Sequence, residues 1–224
     1  MVSPIESAVI GHPAPDWDVA DWVQGEASSL HDHRGRLVLV EVFQVNCPGC
    51  FLYALPQAIE LDRRYRDQGL TVIGLATAFE DFDLNTLANL CLLAEHGQVV
   101  GASLQALQAQ GVLQQGRWPH RIPFPLAMDR LVDTAFDGSD AAVDAFIATN
   151  LDGFVDLAAD FQQTVRQRVR QHLQNQRYRS QTFERYRMQG TPTQLLIDAD
   201  GVLRQSRFGH YPEVERDIVR WLPT

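Results

Sequence analysis

Residues 37–50 read LVLVEVFQVNCPGC and join an apolar run of strand character to two cysteines three positions apart. Such a run is typical of a strand buried on both faces of a sheet, and the cysteines follow it where a helix would begin. At a helix start, free backbone N–H groups and the helix dipole stabilise a thiolate at the first sulfur. The second sulfur is close enough to form a disulfide with it. The segment therefore predicts a thiol–disulfide site at the end of a buried strand.

The two cysteines and the dipeptide between them fit the first turn of a helix. Cys47 takes the N-cap, and Pro48 takes the first helical position, where the missing N–H of proline costs nothing. The free N–H groups of Gly49 and Cys50 then face the Cys47 sulfur. This predicts Cys47 as the attacking thiolate and Cys50 as the thiol that resolves the mixed disulfide. Two alternatives stay open: half of a zinc site, which would need further ligands, or a pair without redox chemistry.

Glu41 interrupts the apolar strand six positions before Cys47. The alternation of a strand puts Glu41, Phe43 and Val45 on one face, and both faces are apolar enough to be buried. A carboxylate desolvated beneath the dithiol would have a raised pKa and could take the proton from Cys50 as that thiol attacks. The alternative is a glutamate in a salt bridge or at an exposed edge.

The pattern along the chain predicts an α/β fold. A strand over residues 37–45, a helix after Cys50 capped by Gly69, and a strand over 70–76 have the order of a parallel crossover. Residues 1–36 are predicted to be an irregular lead-in because prolines interrupt them. The other predicted elements are helices over 85–95, 101–110 and 214–222, an edge strand over 122–128, a continuous helix over 141–187, and strands over 193–199 and 202–208 joined by an Asp200-Gly201 hairpin.

Charge and cysteine content narrow the classes of function. The net charge of -9 argues against nucleic-acid binding, although seven arginines lie between residues 164 and 187 with Glu184 as the only acid. Three cysteines are too few for a secreted disulfide framework. The chain has neither an apparent signal peptide nor the about 20 apolar residues of a membrane span. We therefore expect a cytoplasmic protein that does not associate with membranes.

Four features in this order resemble the thioredoxin superfamily: the acid six positions before the first cysteine, the C-P-G-C helix start, the GTPT sequence at 190–193 and the IDADG hairpin at 197–201. They are most similar to the TlpA-like redoxins related to the AhpC/TSA group. The resemblance covers residues 8–130 and 188–222. It implies one thioredoxin-like domain over 1–224, with a central mixed sheet flanked by helices. It also implies a helical insertion at about 140–187, before the cis-proline strand.

The resemblance implies a thiol–disulfide oxidoreductase that exchanges its dithiol with disulfide-bearing proteins or small thiols. Cys47, Cys50 and Glu41 would be catalytic, an upstream thiol would supply electrons, and no cofactor or metal would be required. In the family, the proline at the Pro192 position is cis and lies against the dithiol, which is feasible because the preference against a cis X-Pro bond is only about 0.5–1 kcal/mol. Asn46 stands where the family usually has tryptophan. The implied substrate-binding residues are Asn46, Pro48, Gly49, Thr191 and Pro192.

Two other functions remain as alternatives. One is a thiol peroxidase with Cys47 as the peroxidatic sulfur, although Gln44 occupies the place where the T-x-x-C motif of typical peroxiredoxins has threonine. The other is a binding module in which the arginine-rich insertion docks an acidic partner. The insertion is also interpreted as a lid beside the dithiol, or as a helix packed by its apolar stripe.

Overall fold

The computed structural model describes residues 7–134, 136–175 and 178–223. These residues fall into two compact units, the first within Met1–Leu131 and Ser180–Thr224 and the second within Val132–Arg179. The strands are β1 (Val19–Gln24), β2 (Leu37–Phe43), β3 (Leu70–Ala76), β4 (Leu126–Asp129), β5 (Leu131–Asp133), β6 (Tyr178–Ser180), β7 (Thr193–Ile197) and β8 (Leu203–Phe208). The helices are α1 (Leu55–Tyr65), α2 (Leu87–His96), α3 (Gly101–Ala109), α4 (Asp140–Asn150), α5 (Ala159–Asn175), α6 (Gln181–Arg185) and α7 (Val214–Trp221).

A six-stranded mixed sheet in the order β1-β4-β3-β2-β7-β8 forms the centre of the first unit. Strands β2, β3 and β4 are parallel, whereas β1 and β7 are antiparallel to their neighbours β4 and β2, and β8 is antiparallel to β7. Strands β5 and β6 form a two-stranded sheet of their own. Because β2 has a hydrogen-bonded strand on each side, the residues that follow it lie beyond the C-terminal end of an inner strand, near the middle of the sheet.

All seven residues of β2 are buried, so both faces of the sheet are covered as the apolar run predicts. One face packs on helices that include α1, α3 and α7, and the other packs on the turn at Leu30 and on Tyr186, which follows α6. Strands predicted over 37–45, 70–76, 193–199 and 202–208 and the helix predicted over 214–222 are confirmed, each within a few residues. Gly69 has φ +102° and ends the turn after α1, as a C-terminal cap does.

Two predictions at the far edge of the sheet are wrong. The lead-in predicted to be irregular contains β1, which pairs with β4, while residues 1–6 lie outside the described residues. The strand predicted over 122–128 at a sheet edge is β4, which lies between β1 and β3. Its two prolines, Pro123 and Pro125, precede the paired segment, so they remove no hydrogen bond from the ladder.

The continuous helix predicted over 141–187 is also wrong. Gly153, at φ +74°, separates α4 from a short 3-10 turn, and α5, β6 and α6 follow as distinct elements. Residues 176–177 of that predicted helix lie outside the described residues. The second unit packs around its own apolar cluster, and two of its arginines, Arg166 and Arg170, pair with acids of α4. The buried members of the cluster are Val143, Ile147, Phe154 and Val169.

Candidate active site

The turn after β2 carries the two cysteines to the start of a helix, as the sequence predicts. Cys47 and Cys50 form a disulfide, with Cα atoms 5.4 Å apart. The helix begins at Pro48, and one π-helical turn over Cys50–Ala54 leads into α1. Cys50 is fully buried, whereas Cys47 is partly exposed. An incoming thiol or disulfide can therefore reach the Cys47 sulfur but not the Cys50 sulfur.

The backbone at the helix start supports negative charge on the exposed sulfur. The Cys50 N–H donates a hydrogen bond to Cys47 Sγ at 3.2 Å. The N-terminal end of the helix dipole acts in the same direction. The sequence predicts that two N–H groups face this sulfur, and in the described part of the chain Cys50 donates to it but Gly49 does not. The arrangement suits Cys47 as the sulfur that is charged when the pair is reduced.

The residues before β7 lie against the turn that carries the two cysteines and form the other side of the site. The Thr191–Pro192 peptide bond is cis, and the Thr191 carbonyl oxygen lies 3.6 Å from Cys47 Sγ. A Cβ atom added to Gly49 would lie 3.9 Å from Pro192 Cδ. Pro48, in the same turn, is partly exposed. The structure thus brings these five predicted site residues together, four of them partly exposed and Pro192 buried, and their roles in catalysis and docking stay predictions.

Gln44 is a residue of this site that sequence reasoning missed. Its side chain is buried, and Oε1 accepts a hydrogen bond from Thr191 Oγ1 at 3.2 Å. Its Nε2 donates to the Glu80 carbonyl oxygen at 3.4 Å. Gln44 therefore links the Thr191 side of the site to the loop after β3. The sequence does contain a signal for this role. Gln44 directly follows the apolar end of β2, and a polar side chain buried there needs a hydrogen-bond partner.

The side-chain amide of Asn46 makes hydrogen bonds through both its nitrogen and its oxygen. Its Nδ2 donates to Asp81 Oδ2 at 2.7 Å, its Oδ1 accepts from the Ala102 N–H at 2.6 Å, and its own N–H donates to Asn85 Oδ1 at 3.0 Å. Gly101 has φ +52°, and a Cβ atom there would lie 2.2 Å from Asn46 Oδ1, so this approach requires glycine. Asn46 fixes the start of α3 beside the dithiol turn, and its contact with substrate stays a prediction.

Glu41 is fully buried in the middle of β2. Burial raises its pKa to about 8, and a hydrogen bond from Gln194 Nε2 at 2.9 Å acts against that rise. Within the described part of the chain, the carboxylate makes that one hydrogen bond, forms no salt bridge and contacts neither sulfur through a hydrogen bond. The buried carboxyl that the sequence predicts is present, and its partner Gln194 was missed because a glutamine in a distant strand carries no local pattern.

The described residues contain neither a cluster of metal ligands nor a membrane-spanning helix. Over 7–134, 136–175 and 178–223, no group of three or more His, Cys, Asp and Glu side chains is placed to hold a metal ion. A structural zinc site would need four such ligands around the ion. Nor do these ranges contain a helix with the length and apolar character that crossing a membrane requires.

No family model matches this chain, and no curated protein matches it. Solved structures do match over nearly the whole length. A thioredoxin-like superfamily protein covers 96% of this chain and 98% of its own at 22% identity, with a TM-score of 0.58. A thiol-disulfide isomerase from Corynebacterium glutamicum covers 96% and 98% at 26% identity, with a TM-score of 0.57. A putative thiol:disulfide interchange protein DsbE from Chlorobium tepidum covers 96% and 99% at 17% identity, with a TM-score of 0.51.

The fold and the site agree with these likenesses. The central mixed sheet is flanked by helices, and the cysteine pair closes a disulfide where the strand at its centre gives way to a helix. The similar structures span this chain almost from end to end, so the likeness includes both parts of the first unit. This chain therefore has a thioredoxin-like fold.

Proposed function

We propose that this chain is a thiol–disulfide oxidoreductase of the TlpA-like kind. It would exchange its Cys47–Cys50 pair with disulfides or thiols of proteins or small molecules. The observation that carries the proposal is a disulfide between a partly exposed and a fully buried cysteine at a helix start. The similar structure at 26% identity is named a thiol-disulfide isomerase, which supports it. The two electrons reside on the sulfurs, so the reaction needs an upstream thiol donor and no bound cofactor.

In the reducing direction, the Cys47 thiolate attacks one sulfur of the substrate disulfide. The electron pair of the broken S–S bond leaves on the other substrate sulfur. Cys50 then attacks Cys47 Sγ and passes its proton to the Glu41 carboxylate. This step closes the Cys47–Cys50 bond and releases the second substrate sulfur as a thiolate. Two electrons reach the substrate for each disulfide closed, and oxidation of a substrate dithiol runs through the same steps in reverse.

The substrate would dock along Thr191 and Pro192. The Thr191 carbonyl oxygen is 3.6 Å from Cys47 Sγ, so a chain that lies beside it places its own sulfur near Cys47. Gln44 holds the Thr191 hydroxyl and so fixes this edge. Pro48 and Gly49 form the opposite side of the approach, and Asn46 holds the neighbouring loop in place.

A redox titration tests the proposal. The background variant is Cys91→Ser, because Cys91 is the free cysteine of the chain and would otherwise add a thiol. The protein is equilibrated in defined glutathione or dithiothreitol buffers, free thiols are trapped, and the mass shift is read. We expect a reversible two-electron transition that Cys47→Ser abolishes. A pair that stays reduced in every buffer, or that titrates as two independent thiols, would overturn the proposal.

The midpoint of the same titration gives the direction of electron flow. A value of about -270 mV would match a reductase such as thioredoxin, and a value of about -120 mV would match a strong oxidant. The two values correspond to different partners. A protein with the lower potential receives electrons from a cellular thiol donor, and a protein with the higher potential receives them from substrate dithiols. Either value is consistent with exchange at Cys47 and Cys50.

A further inference from the structure

A buried hydrogen-bond chain joins the two central strands to α1. Glu41 on β2 is in register with Gln194 on β7, and both side chains are buried. Gln194 Nε2 donates to Glu41 Oε2 at 2.9 Å and to Gln57 Oε1 at 3.1 Å. Gln57 Nε2 in turn donates to the Tyr211 carbonyl oxygen at 3.1 Å. Because that carbonyl fixes the Gln57 amide, the Gln57 oxygen faces Gln194 and sets the orientation of the Gln194 amide.

Two oxygen atoms of the three side chains in this hydrogen-bond network have no hydrogen-bond partner among the described residues: Glu41 Oε1 and Gln194 Oε1. When Glu41 is ionised, both atoms are acceptors only, and two buried acceptors without a donor are unfavourable. The two atoms belong to side chains that are already joined through their other polar atoms. One proton on Glu41 can satisfy both, since a carboxylic acid donates and accepts while a primary amide accepts and donates.

We propose that Gln194 is a positioning residue that holds Glu41 in a reciprocal acid–amide pair when the disulfide is closed. In this pair Glu41 Oε1 carries a proton and donates it in a hydrogen bond to Gln194 Oε1, while Gln194 Nε2 donates to Glu41 Oε2. The proton is the one that Cys50 gives up as its sulfur bonds to Cys47. It returns to Cys50 when an incoming thiolate attacks Cys47 and the S–S bond breaks. The inference rests on the proposed function, because it assigns how the proton acceptor of that reaction is held.

The surroundings of Glu41 favour its protonated form. The side chain that contacts it from β7 is the neutral amide of Gln194, which in turn contacts the neutral amide of Gln57 on α1, and its register partner on β3 is Gly74. The titratable groups at the helix start above β2 are the cysteine sulfurs, which are joined in the disulfide. Burial raises the pKa of Glu41 to about 8, with no contribution from a charged side chain among the described residues. With the disulfide closed, the carboxyl is therefore mainly protonated at pH 7.

Infrared difference spectroscopy of the oxidised protein at pH 7 tests the pair. The C=O stretch of a protonated carboxylic acid is separate from the carboxylate bands, and subtracting the spectrum of Glu41→Gln assigns it. Burial also raises the pKa values of two other acids: Asp129, at about 6, is mainly ionised at this pH, and Asp62 forms an ion pair with Arg66. Gln194→Met removes the amide while keeping the length of the side chain. Gln205→Met is the matched control, because Gln205 is a buried glutamine on the next strand, β8, without a hydrogen bond to Glu41.

We expect a protonated-acid band that Glu41→Gln removes and that Gln194→Met moves to higher wavenumber, because hydrogen bonding weakens the C=O bond. Gln205→Met should leave the band in place. An absent band, or a band that Gln194→Met does not move, would overturn the pair. If Gln194→Met does not fold, the wild-type band decides: a wavenumber below that of a free carboxylic acid in an apolar solvent supports the pair, and an equal one overturns it.

The spectra and the redox titration separate this inference from the proposed function. The band is recorded without substrate, so it does not depend on exchange activity. A reversible redox couple with an unmoved band would keep the proposed function and remove the role of Gln194. A shifted band in a protein without a reversible couple would remove the proposed function and, with it, the role of the pair in proton transfer.

Discussion

Two buried carboxyl groups lie on strands of the same sheet, and their surroundings differ. Asp129 at the end of β4 accepts three hydrogen bonds, from the Thr182 N–H at 2.8 Å, the Phe183 N–H at 3.0 Å and Thr77 Oγ1 at 2.9 Å. Glu41 at the centre of β2 accepts one, and its second oxygen accepts none among the described residues. Burial raises both pKa values, to about 6 for Asp129 and to about 8 for Glu41.

The difference separates a structural acid from an acid that can exchange a proton. Hydrogen bonds that donate to a carboxylate stabilise its ionised form, so Asp129 is mainly ionised near pH 7 despite its burial. The bonds from Thr182 and Phe183 join the end of β4 to α6. Removing the Asp129 carboxylate would leave these N–H donors and the Thr77 hydroxyl unpaired. Glu41 has fewer such bonds, so it keeps its proton to a higher pH than Asp129 does. The number of donors around each of these buried acids therefore helps to set the pH at which it ionises.

Asp129→Ala is expected to have the largest effect on stability. It leaves the N–H groups of Thr182 and Phe183 and the Thr77 hydroxyl without their acceptor, and each buried unpaired group costs about 1–3 kcal/mol. We expect the free energy of unfolding at pH 7, measured by urea denaturation, to fall by about 3 kcal/mol or more. The exposed Asp133→Ala is the control and should change it little. A loss below about 1 kcal/mol for Asp129→Ala would contradict the structural role.

The pH dependence of stability should identify Glu41 as the second acid. Its pKa is about 8 in the folded protein against 4.5 for an unperturbed glutamate, so between those pH values the folded state holds a proton that the unfolded state has lost. The free energy of unfolding therefore falls as pH rises through this window, by about 1.4 kcal/mol per pH unit. From pH 6.5 to 8 we expect a loss of about 2 kcal/mol, which chemical denaturation at the two pH values measures.

Glu41→Gln is the matched variant for that measurement, because it keeps the shape of the side chain and cannot ionise. The slope of stability against pH above 6.5 should be much flatter in Glu41→Gln than in the wild-type protein. The contribution of Asp129 falls mostly below this range, since its pKa in the folded protein is about 6. Equal slopes in the two proteins would show that Glu41 is not the group that titrates.

The sequence predicts Glu41 and misses Asp129 for a physical reason. A charged residue within LVLVEVF is conspicuous because both faces of that strand are apolar, so its burial follows from the pattern around it. Asp129 ends a strand, where acids are common, and its partners Thr77 and Thr182 are 52 and 53 positions away. Only the tertiary fold brings such partners together. Gln194 was missed for the same reason.

The elements of the fold divide in the same way. Strands β2 and β3 and the β7–β8 hairpin follow from local apolar runs and turn residues, and they were predicted within a few positions. Strand β1 was missed because its residues are mostly half-buried or exposed, and its existence depends on pairing with β4, about a hundred positions away. The break at Gly153 was missed because apolar residues recur at helical spacing on both sides of it.

Asn46→Ala tests whether a satisfied polar group at the site behaves like Asp129 on a smaller scale. The variant removes the side-chain bonds to Asp81 and to the Ala102 N–H at a partly exposed position. We expect the free energy of unfolding to fall by about 1 kcal/mol in urea denaturation. The midpoint of the redox titration should stay unchanged, because Asn46 contacts neither sulfur. A shifted midpoint with unchanged stability would assign Asn46 to the chemistry instead.

Asp144→Asn in the second unit is expected to have the smallest effect. Asp144 pairs with Arg166, and the two side chains are 50% and 41% exposed, so water and salt screen their attraction. We expect the free energy of unfolding to change by less than about 0.5 kcal/mol in urea denaturation, and less still at high salt. A loss as large as that of Asp129→Ala would break the comparison. It would mean that an ion pair at the surface holds a carboxylate as firmly as buried backbone donors do, although the surface pair can exchange its partner for water at little cost.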